Sequence, residues 1–393
     1  MILREIEMEI SLYIHVPFCR HKCDYCDFYS LAGIEDRLQI YTEAVCRELR
    51  FRSVQYHHPR VRTVFFGGGT PTLLSGQMAE KIMSEIRSGY TLCDECEMTM
   101  EGNPGTLTAE NLDAYRKAGI NRLSLGVQSF SDTMLSAIGR IHTSTEAEEA
   151  VHMARRAGFC NINLDLMYGL PGQDTGMLRE TIRAALSLKP EHLSCYSLIV
   201  EEGTLLSERL NAGGGAALPD EDTVCEMEDV IHRCLKEDGY ERYEVSNYAK
   251  TGFRCAHNIV YWECLPYLGI GPGAHSDCGG TRFSHPADLS SWTDHVMQGR
   301  MDALDEQEGT GSLQERRYER MMMGLRMTRG VDLRRFRQDF GLMPEKVWPR
   351  TIREMEEQNM IFTESGRLAL TERGMDVMNY WLVRMIEEEE QAK

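Results

Sequence analysis

The sequence predicts an α/β fold: a partial barrel of six βα units followed by a helical, winged-helix-like domain. Six short apolar segments, residues 11–16, 63–66, 97–101, 122–127, 161–167 and 192–198, alternate with helical patterns at 36–52, 75–87, 108–118, 145–157 and 175–188. Such alternation argues for a parallel sheet with helices outside. Ser75, Thr108 and Thr145 supply capping side chains at three helix starts. Six units are too few to close an eight-stranded barrel. From about Gly311 the pattern turns mostly helical, at 313–327, 332–340, 344–358 and 371–387, with a hairpin-like 360–370 turning at Ser365-Gly366. The expected division is 1–240 for the partial barrel with its cysteine loop, 241–300 for a Tyr-, Trp- and Gly-rich segment closing it, and 301–393 for the helical domain.

Composition narrows the partners. A formal charge of −18 argues against binding a phosphate backbone, and the acidic end (Glu387–Glu390) argues against a DNA role for the winged-helix-like domain. Packing against the barrel or another protein is the expectation there. MILREIEMEI is charged and lacks an apolar core, so no signal peptide is expected, and no apolar run approaches a membrane span. Thirteen cysteines then imply a reducing, cytoplasmic home rather than disulfides. Cys93-Asp-Glu-Cys96 lacks a second pair and is read as no metal site, and most other cysteines as small apolar side chains.

The exception is the stretch YIHVPFCRHKCDYCDFYS, residues 13–30. Cys19, Cys23 and Cys26 stand at C-x3-C-x2-C in a loop after the first strand. Three thiolates so spaced suit three corners of an iron–sulfur cube, leaving one iron open for a ligand. A zinc site is the competing reading, but neither His15 nor His21 completes a regular four-ligand pattern.

Polar and glycine residues gather at the predicted strand ends, where barrels of this kind carry their working groups. The second strand runs into Gly67-Gly68-Gly69-Thr70, whose backbone can approach a ligand closely. Glu101 ends the third and offers acceptors for ribose hydroxyls, with a turn at Asn103-Pro104-Gly105. Gln128 follows the fourth, with Arg140 and His142 after it. Asp165 interrupts the apolar fifth strand and needs a partner, either Arg140 or a ligand group. Tyr196 is expected to face inward from the sixth. Further on, His257 in HNIVYW is either part of an edge hairpin and turn or an axial iron ligand on an aromatic floor.

Together YIHVPFCRHKCDYCDF, FFGGGTPT, EGNPGT, LSLGVQSF, INLDLMYGLPGQ, YEVSNYAK and HNIVYW resemble the HemN-like branch of radical S-adenosylmethionine (SAM) proteins over nearly the whole chain. The resemblance implies the incomplete six-unit radical SAM barrel, with a [4Fe–4S] cluster on Cys19, Cys23 and Cys26. It implies SAM contacts from Tyr13, Gly68 and Glu101. Gly69, Thr70, Gln128, Arg140 and Asp165 match positions that contact a second SAM in the coproporphyrinogen III enzymes. Two departures from those enzymes stand out. They carry a further cysteine where this chain has Phe28, and a long N-terminal extension where few residues precede Cys19. Both departures argue against porphyrinogen decarboxylation; the branch also holds heme chaperones, whose HN-x-x-YW motif is matched by His257, Asn258, Tyr261 and Trp262. The resemblance therefore implies heme and heme-acceptor proteins as partners, membrane contact only through an acceptor, no nucleic acid, room for a homodimer, and an electron donor if SAM is cleaved. Oxidative decarboxylation of coproporphyrinogen III and methyl transfer are the enzymatic alternatives.

Overall fold

The computed structural model describes residues 8–278 and 280–391. Six strands, β1 (Glu9–Val16), β2 (Arg60–Gly68), β3 (Thr91–Gly102), β4 (Arg122–Gln128), β5 (Ile162–Tyr168) and β6 (His192–Ser197), lie side by side in chain order. Every neighbouring pair among them is parallel. Helices α1 (Leu38–Gln55), α2 (Gly76–Gly89), α3 (Ala109–Lys117), α4 (Asp132–Ala137), α5 (Ser144–Arg156) and α6 (Thr175–Ser187) fill the crossovers. The alternation read from sequence is thus the architecture. Among the described residues the six strands form the centre of a twelve-stranded sheet. On the β1 side, β7 (Tyr267–Ile270) runs parallel to β1, and β8 (His275–Cys278) and β9 (Thr281–Ser284) follow antiparallel. Part of the Tyr- and Gly-rich segment therefore continues the sheet beside its first strand.

The chain forms two compact units. The first comprises residues up to Glu241, Tyr248–His257 and Pro266–Glu308; the second comprises Arg242–Asn247, Asn258–Leu265 and everything from Gly309. In the second, helices Leu313–Leu325, Leu333–Phe340, Pro349–Glu357 and Met378–Glu390 surround a sheet in which Ile361–Glu364 and Arg367–Leu370 make a hairpin and Val331–Asp332 adds a strand. Trp348, Trp381, Phe336 and Met385 fill its core. Among the described residues no helix is long and apolar enough to cross a membrane.

Period-two alternation gives the two faces of the first unit's sheet opposite chemistry. Ile10, Leu12 and Ile14 of β1, Val64 and Phe66 of β2, and Leu123, Leu125 and Val127 of β4 pack with Leu49, Ile82, Leu112, Val151 and Ile182 of the helices in one core. The other face is buried yet polar: Thr63, Thr99, Arg122, Ser124, Asn163, His192 and Ser194 all lie below the surface. Hydrogen bonds compensate there. Asn163 Nδ2 donates to Ser124 Oγ and to Asp165 Oδ1, each at 2.8 Å, and Asn163 Oδ1 accepts from Ser194 Oγ at 3.1 Å and meets His192 Nδ1 at 2.6 Å.

Two boundaries differ from expectation for local reasons. Helix α5 is capped by Thr143, not Thr145, because Thr143 and Glu146 form a reciprocal capping box. Strand β3 begins at Thr91, well before residue 97; its register against β2 shifts between Val61 and Thr63, and that irregularity absorbs the polar Cys93–Cys96 stretch. Cys96 packs into the core while Cys93 sits near Arg60 and Glu9.

A buried charged cluster ties α1 to the strands beyond β1. Glu48 Oε2 accepts from the Gly271 N–H at 3.1 Å and from Trp292 Nε1 at 3.0 Å. Arg52 donates to Asp305 Oδ2 at 2.9 Å and meets His285 Nε2 at 3.1 Å. Removing one partner of such a cluster strands the remaining buried charge. Arg52→Ala should therefore cost about 3–5 kcal/mol, read as a lower urea midpoint, whereas an exposed pair such as Arg87–Glu80 should cost under about 1 kcal/mol.

Candidate cofactor site at the cysteine loop

The C-terminal ends of β1 and β2 bring two loops together. The carbonyls of Val16 and Phe18 accept hydrogen bonds from Gly69 N–H (2.9 Å) and Thr70 N–H (2.7 Å). This contact leaves no room for a side chain: a Cβ on Gly69 would lie 2.6 Å from Phe18 O and 3.0 Å from Cys19 Sγ. Gly68, at φ +109°, faces the His15 ring, and a Cβ there would lie 2.7 Å from it. The glycine run read from sequence as a ligand approach is thus first required by the protein's own packing.

The cysteine loop is held at several further points. Asp24 N–H donates to Ile138 O at 3.2 Å, and Asp24 O accepts from Leu206 N–H at 2.8 Å. Asp24 Oδ2 pairs with Arg209 Nη1 at 2.7 Å. On the return limb His15 Nε2 lies 2.9 Å from Tyr29 O and His15 Nδ1 lies 3.1 Å from Tyr13 Oη. A carbonyl can only accept, so Nε2 carries the proton and Nδ1 accepts from the phenol. Burial lowers the His15 pKa, which keeps this neutral tautomer.

Two of the three thiols have donors on them. Thr70 Oγ1 lies 3.5 Å from Cys19 Sγ and Arg140 Nη1 lies 3.4 Å from Cys23 Sγ. Asn103 joins these donors, giving Nδ2 to Thr70 Oγ1 at 2.9 Å and accepting from Arg140 Nη2 at 2.7 Å. Arg140 also donates to Gly126 O. Burial raises the Cys26 thiol pKa, and the Cys23 and Cys19 sulfurs beside it act in the same direction. Among the described residues no three Cys, His, Asp or Glu side chains converge on a single metal ion. Thiols that each take a separate corner of a cube need not converge. Three grouped sulfurs with N–H and O–H donors around them fit such a cluster, and donors of this kind tune it.

Below the loops lie two half-buried carboxylates, Glu101 and Asp165. Glu101 Oε2 accepts from Gly68 N–H at 3.2 Å. Burial, and secondarily the charge of Asp165, pushes its pKa up to about 8. Asp165 is raised for the same first reason, burial. Its partners are Ser124 Oγ at 3.2 Å and Asn163 Nδ2 at 2.8 Å. The Arg140 partnership expected from sequence is not made; that guanidinium is taken by Cys23, Asn103 and Gly126. Gln128 ends β4 at φ +67°, a strained backbone for a residue with a Cβ. Tyr196, expected to face inward, shares the face of His192 and Ser194 by alternation along β6 and is exposed at the strand end.

His257 stands apart from this edge. It is 1% exposed, its Nδ1 lies 2.7 Å from Thr63 Oγ1, and its ring stacks on Phe65 with centroids 4.8 Å apart. Its backbone N–H donates to Glu97 Oε1 at 3.0 Å. Burial drives its pKa down to about 3. The residue lies at the start of a helix, Ala256–Trp262, and not in the edge hairpin and turn that was one of its two sequence readings. The groups that sequence reasoning overlooked are Asn103, read only as a turn residue, and His15, read only as a zinc candidate. The signal for both was position, at the ends of β3 and β1.

Comparison with known proteins adds the following. The model of the radical SAM superfamily matches residues 13–185, and that of the HemN C-terminal domain matches 312–377. Heme chaperone HemW of Bacillus subtilis is 37% identical over 365 residues, covering 93% of this chain and 96% of that protein. Its Haemophilus influenzae counterpart is 36% identical, covering 97% and 98%, and the Escherichia coli one is 43% identical over 269 residues, covering 68% and 69%. Among solved structures, coproporphyrinogen III oxidase (HemN) from Escherichia coli superposes with a TM-score of 0.83 at 20% identity, over 96% of this chain and 90% of that one, which establishes the shared fold.

The raised Glu101 pKa has a measurable consequence for the ligand-free protein. The folded state holds this proton to a higher pH than the unfolded chain does, so between about pH 4.3 and the folded value of about 8 it binds more protons. Its contribution to stability is full below the unfolded pKa and is lost as pH rises through 8. The difference in unfolding free energy between wild type and Glu101→Gln should therefore shift against wild type from pH 5 to pH 8.5, and a pH-independent difference would contradict it.

Proposed function

The chain belongs to the heme chaperone HemW family and carries a radical SAM domain, and from that premise we propose that it binds heme and delivers it to acceptor proteins in the cytoplasm. The observation that carries the reading is Phe28, two residues past Cys26 and 65% exposed. A further cysteine stands at this point in the coproporphyrinogen enzymes; here a large apolar ring is presented to solvent beside the cysteine loop. Ile141, next to the Arg140 that touches Cys23, and Ile199, which follows a Leu198 packed on the same small apolar cluster as Tyr25, are exposed as well. These exposed apolar side chains on the cysteine loop and on loops beside its contacts are the candidate heme contacts. Lys22 and Arg20 on the same loop are exposed cations in a chain of charge −18. An apolar surface edged by cations complements a flat macrocycle carrying two carboxylates.

Cys19, Cys23 and Cys26 are proposed to hold a [4Fe–4S] cluster, with Tyr13, Gly68 and Glu101 toward SAM. Gly69, Thr70, Gln128, Arg140 and Asp165 would line a second SAM or the heme edge. The cluster with SAM at its open iron supplies one-electron chemistry when bound. The protein's own part is steric and electrostatic. Gly69 lets the end of β2 approach Cys19 without a side chain between them, and Thr70 and Arg140 direct donors at the sulfurs. Glu101 and Asp165 offer half-buried acceptors for an amine or hydroxyls, and such a ligand would pull both pKa values back down. Delivery then requires two states of different heme affinity, biased by the acceptor or by the cofactor.

Heme titration of the cluster-loaded protein should give a one-to-one complex with its own Soret band. Phe28→Asp should weaken it by roughly tenfold or more, the effect of replacing a buried aromatic contact with a charge. Under anoxia, with reductant, SAM and coproporphyrinogen III, no protoporphyrinogen IX should form. Absence of the Soret complex in wild type, or conversion of the porphyrinogen, would overturn the proposal.

A further inference from the structure

The ring of His257 forms the lower end of a column of rings. It stacks on Phe65 with centroids 4.8 Å apart and lies 6.3 Å from the ring of Tyr13. Tyr13 and Phe65 are 6.2 Å apart and stacked. Tyr13 in turn lies 5.9 Å from His15, and His15 stacks on Tyr29 at 6.1 Å, on the return limb of the cysteine loop. The column therefore runs from His257 to within three residues of Cys26. It also supports the glycine loop, since the Cβ positions of Gly67 and Gly68 would meet Tyr13 Cε2 at 2.9 Å and the His15 ring at 2.7 Å.

The base of the column is fixed in place. Thr63 Oγ1 holds His257 Nδ1 at 2.7 Å. The carboxylate of Glu97 accepts the N–H groups of Ala256 and His257, each at 3.0 Å, and receives the Cys255 thiol at 3.5 Å. These contacts fix both the backbone and the ring plane of His257, and they leave its ring fully buried. With Nδ1 at Thr63 and the whole ring 1% exposed, an iron could reach His257 only if this interior opened.

We infer that His257 is a positioning residue: it holds Phe65 and Tyr13 against the glycine loop and, through His15 and Tyr29, sets the geometry of the cysteine loop rather than ligating heme iron. This rests on the reading that the cysteine and glycine loops hold the cluster and SAM. Close-packed interiors transmit displacement, so a cavity under Phe65 lets Tyr13 and His15 settle away from Gly67 and Gly68.

The test compares His257→Ala, His257→Phe and Thr63→Val in cluster-loaded protein, reading SAM affinity by calorimetry, the electron paramagnetic resonance spectrum of the reduced cluster with and without SAM, and the Soret band on heme addition. His257→Ala should weaken SAM binding by about tenfold and diminish the SAM-induced spectral change. His257→Phe, which keeps a flat ring over Phe65, should restore most of both and retain the wild-type Soret position. Thr63→Val, which frees the ring without removing it, should fall between, and it carries the test if His257→Ala does not fold. The inference is overturned if SAM affinity and the cluster spectrum are unchanged in all three variants, or if both His257 variants lose the Soret complex with SAM binding intact. If wild type binds no heme, the chaperone reading fails, while the SAM and spectral measurements still decide the positioning role.

Discussion

The contact between the cysteine loop and the glycine loop is the constraint on which the site depends. Two backbone hydrogen bonds, from Gly69 and Thr70 to Val16 and Phe18, set the start of the thiol-bearing loop directly over the end of the second strand. The approach is close enough that any side chain on Gly69 would collide with Phe18 and Cys19. Because β1 and β2 are parallel neighbours, their C-terminal ends are adjacent by topology. The fold thus supplies the meeting point, and the glycines permit the approach.

That edge rests on a sheet whose faces do different work. The outer face, with its helices, buries one continuous apolar core and bears the stability. The inner face carries Glu101, Asp165, Arg122 and His192, groups whose burial costs free energy unless hydrogen bonds or charges compensate. Asn163 and Ser124 compensate Asp165 in part, yet Asp165 and Glu101 both remain raised in pKa. Carboxylates raised in this way are candidates for contact with a ligand. A ligand bringing an amine or hydroxyls to them would pull both pKa values back down.

Much of this was legible in the sequence because the signals were local or periodic. The six strands, the crossover helices and the terminal hairpin at Ile361–Leu370 follow from alternation, caps and a Ser365-Gly366 turn. The three cysteines declared themselves by spacing. What was not legible depended on which side chains meet across the sheet. Arg140 was offered to Asp165 by charge alone, but Asn103 and Cys23 compete for it in space. His257 had two readings in sequence, a hairpin-and-turn residue or an iron ligand, because neither the helix that carries it nor the stack on Phe65 and the bond to Thr63 leaves a local signal. Strand β3 was cut short for a similar reason, since its polar Asp94 and Glu95 lie in a register shift that no periodic pattern records.

The central claim is that three thiols of this loop hold a cube with one iron left open above a polar floor. Mössbauer spectroscopy of protein reconstituted with iron-57 addresses it directly. Before SAM is added, three irons with thiolate ligands and one without should be present, and addition of SAM should shift the signal of that one iron in four while leaving three unchanged. A cluster whose four irons remain equivalent and indifferent to SAM, or a protein that assembles no cluster on Cys19, Cys23 and Cys26, would contradict it.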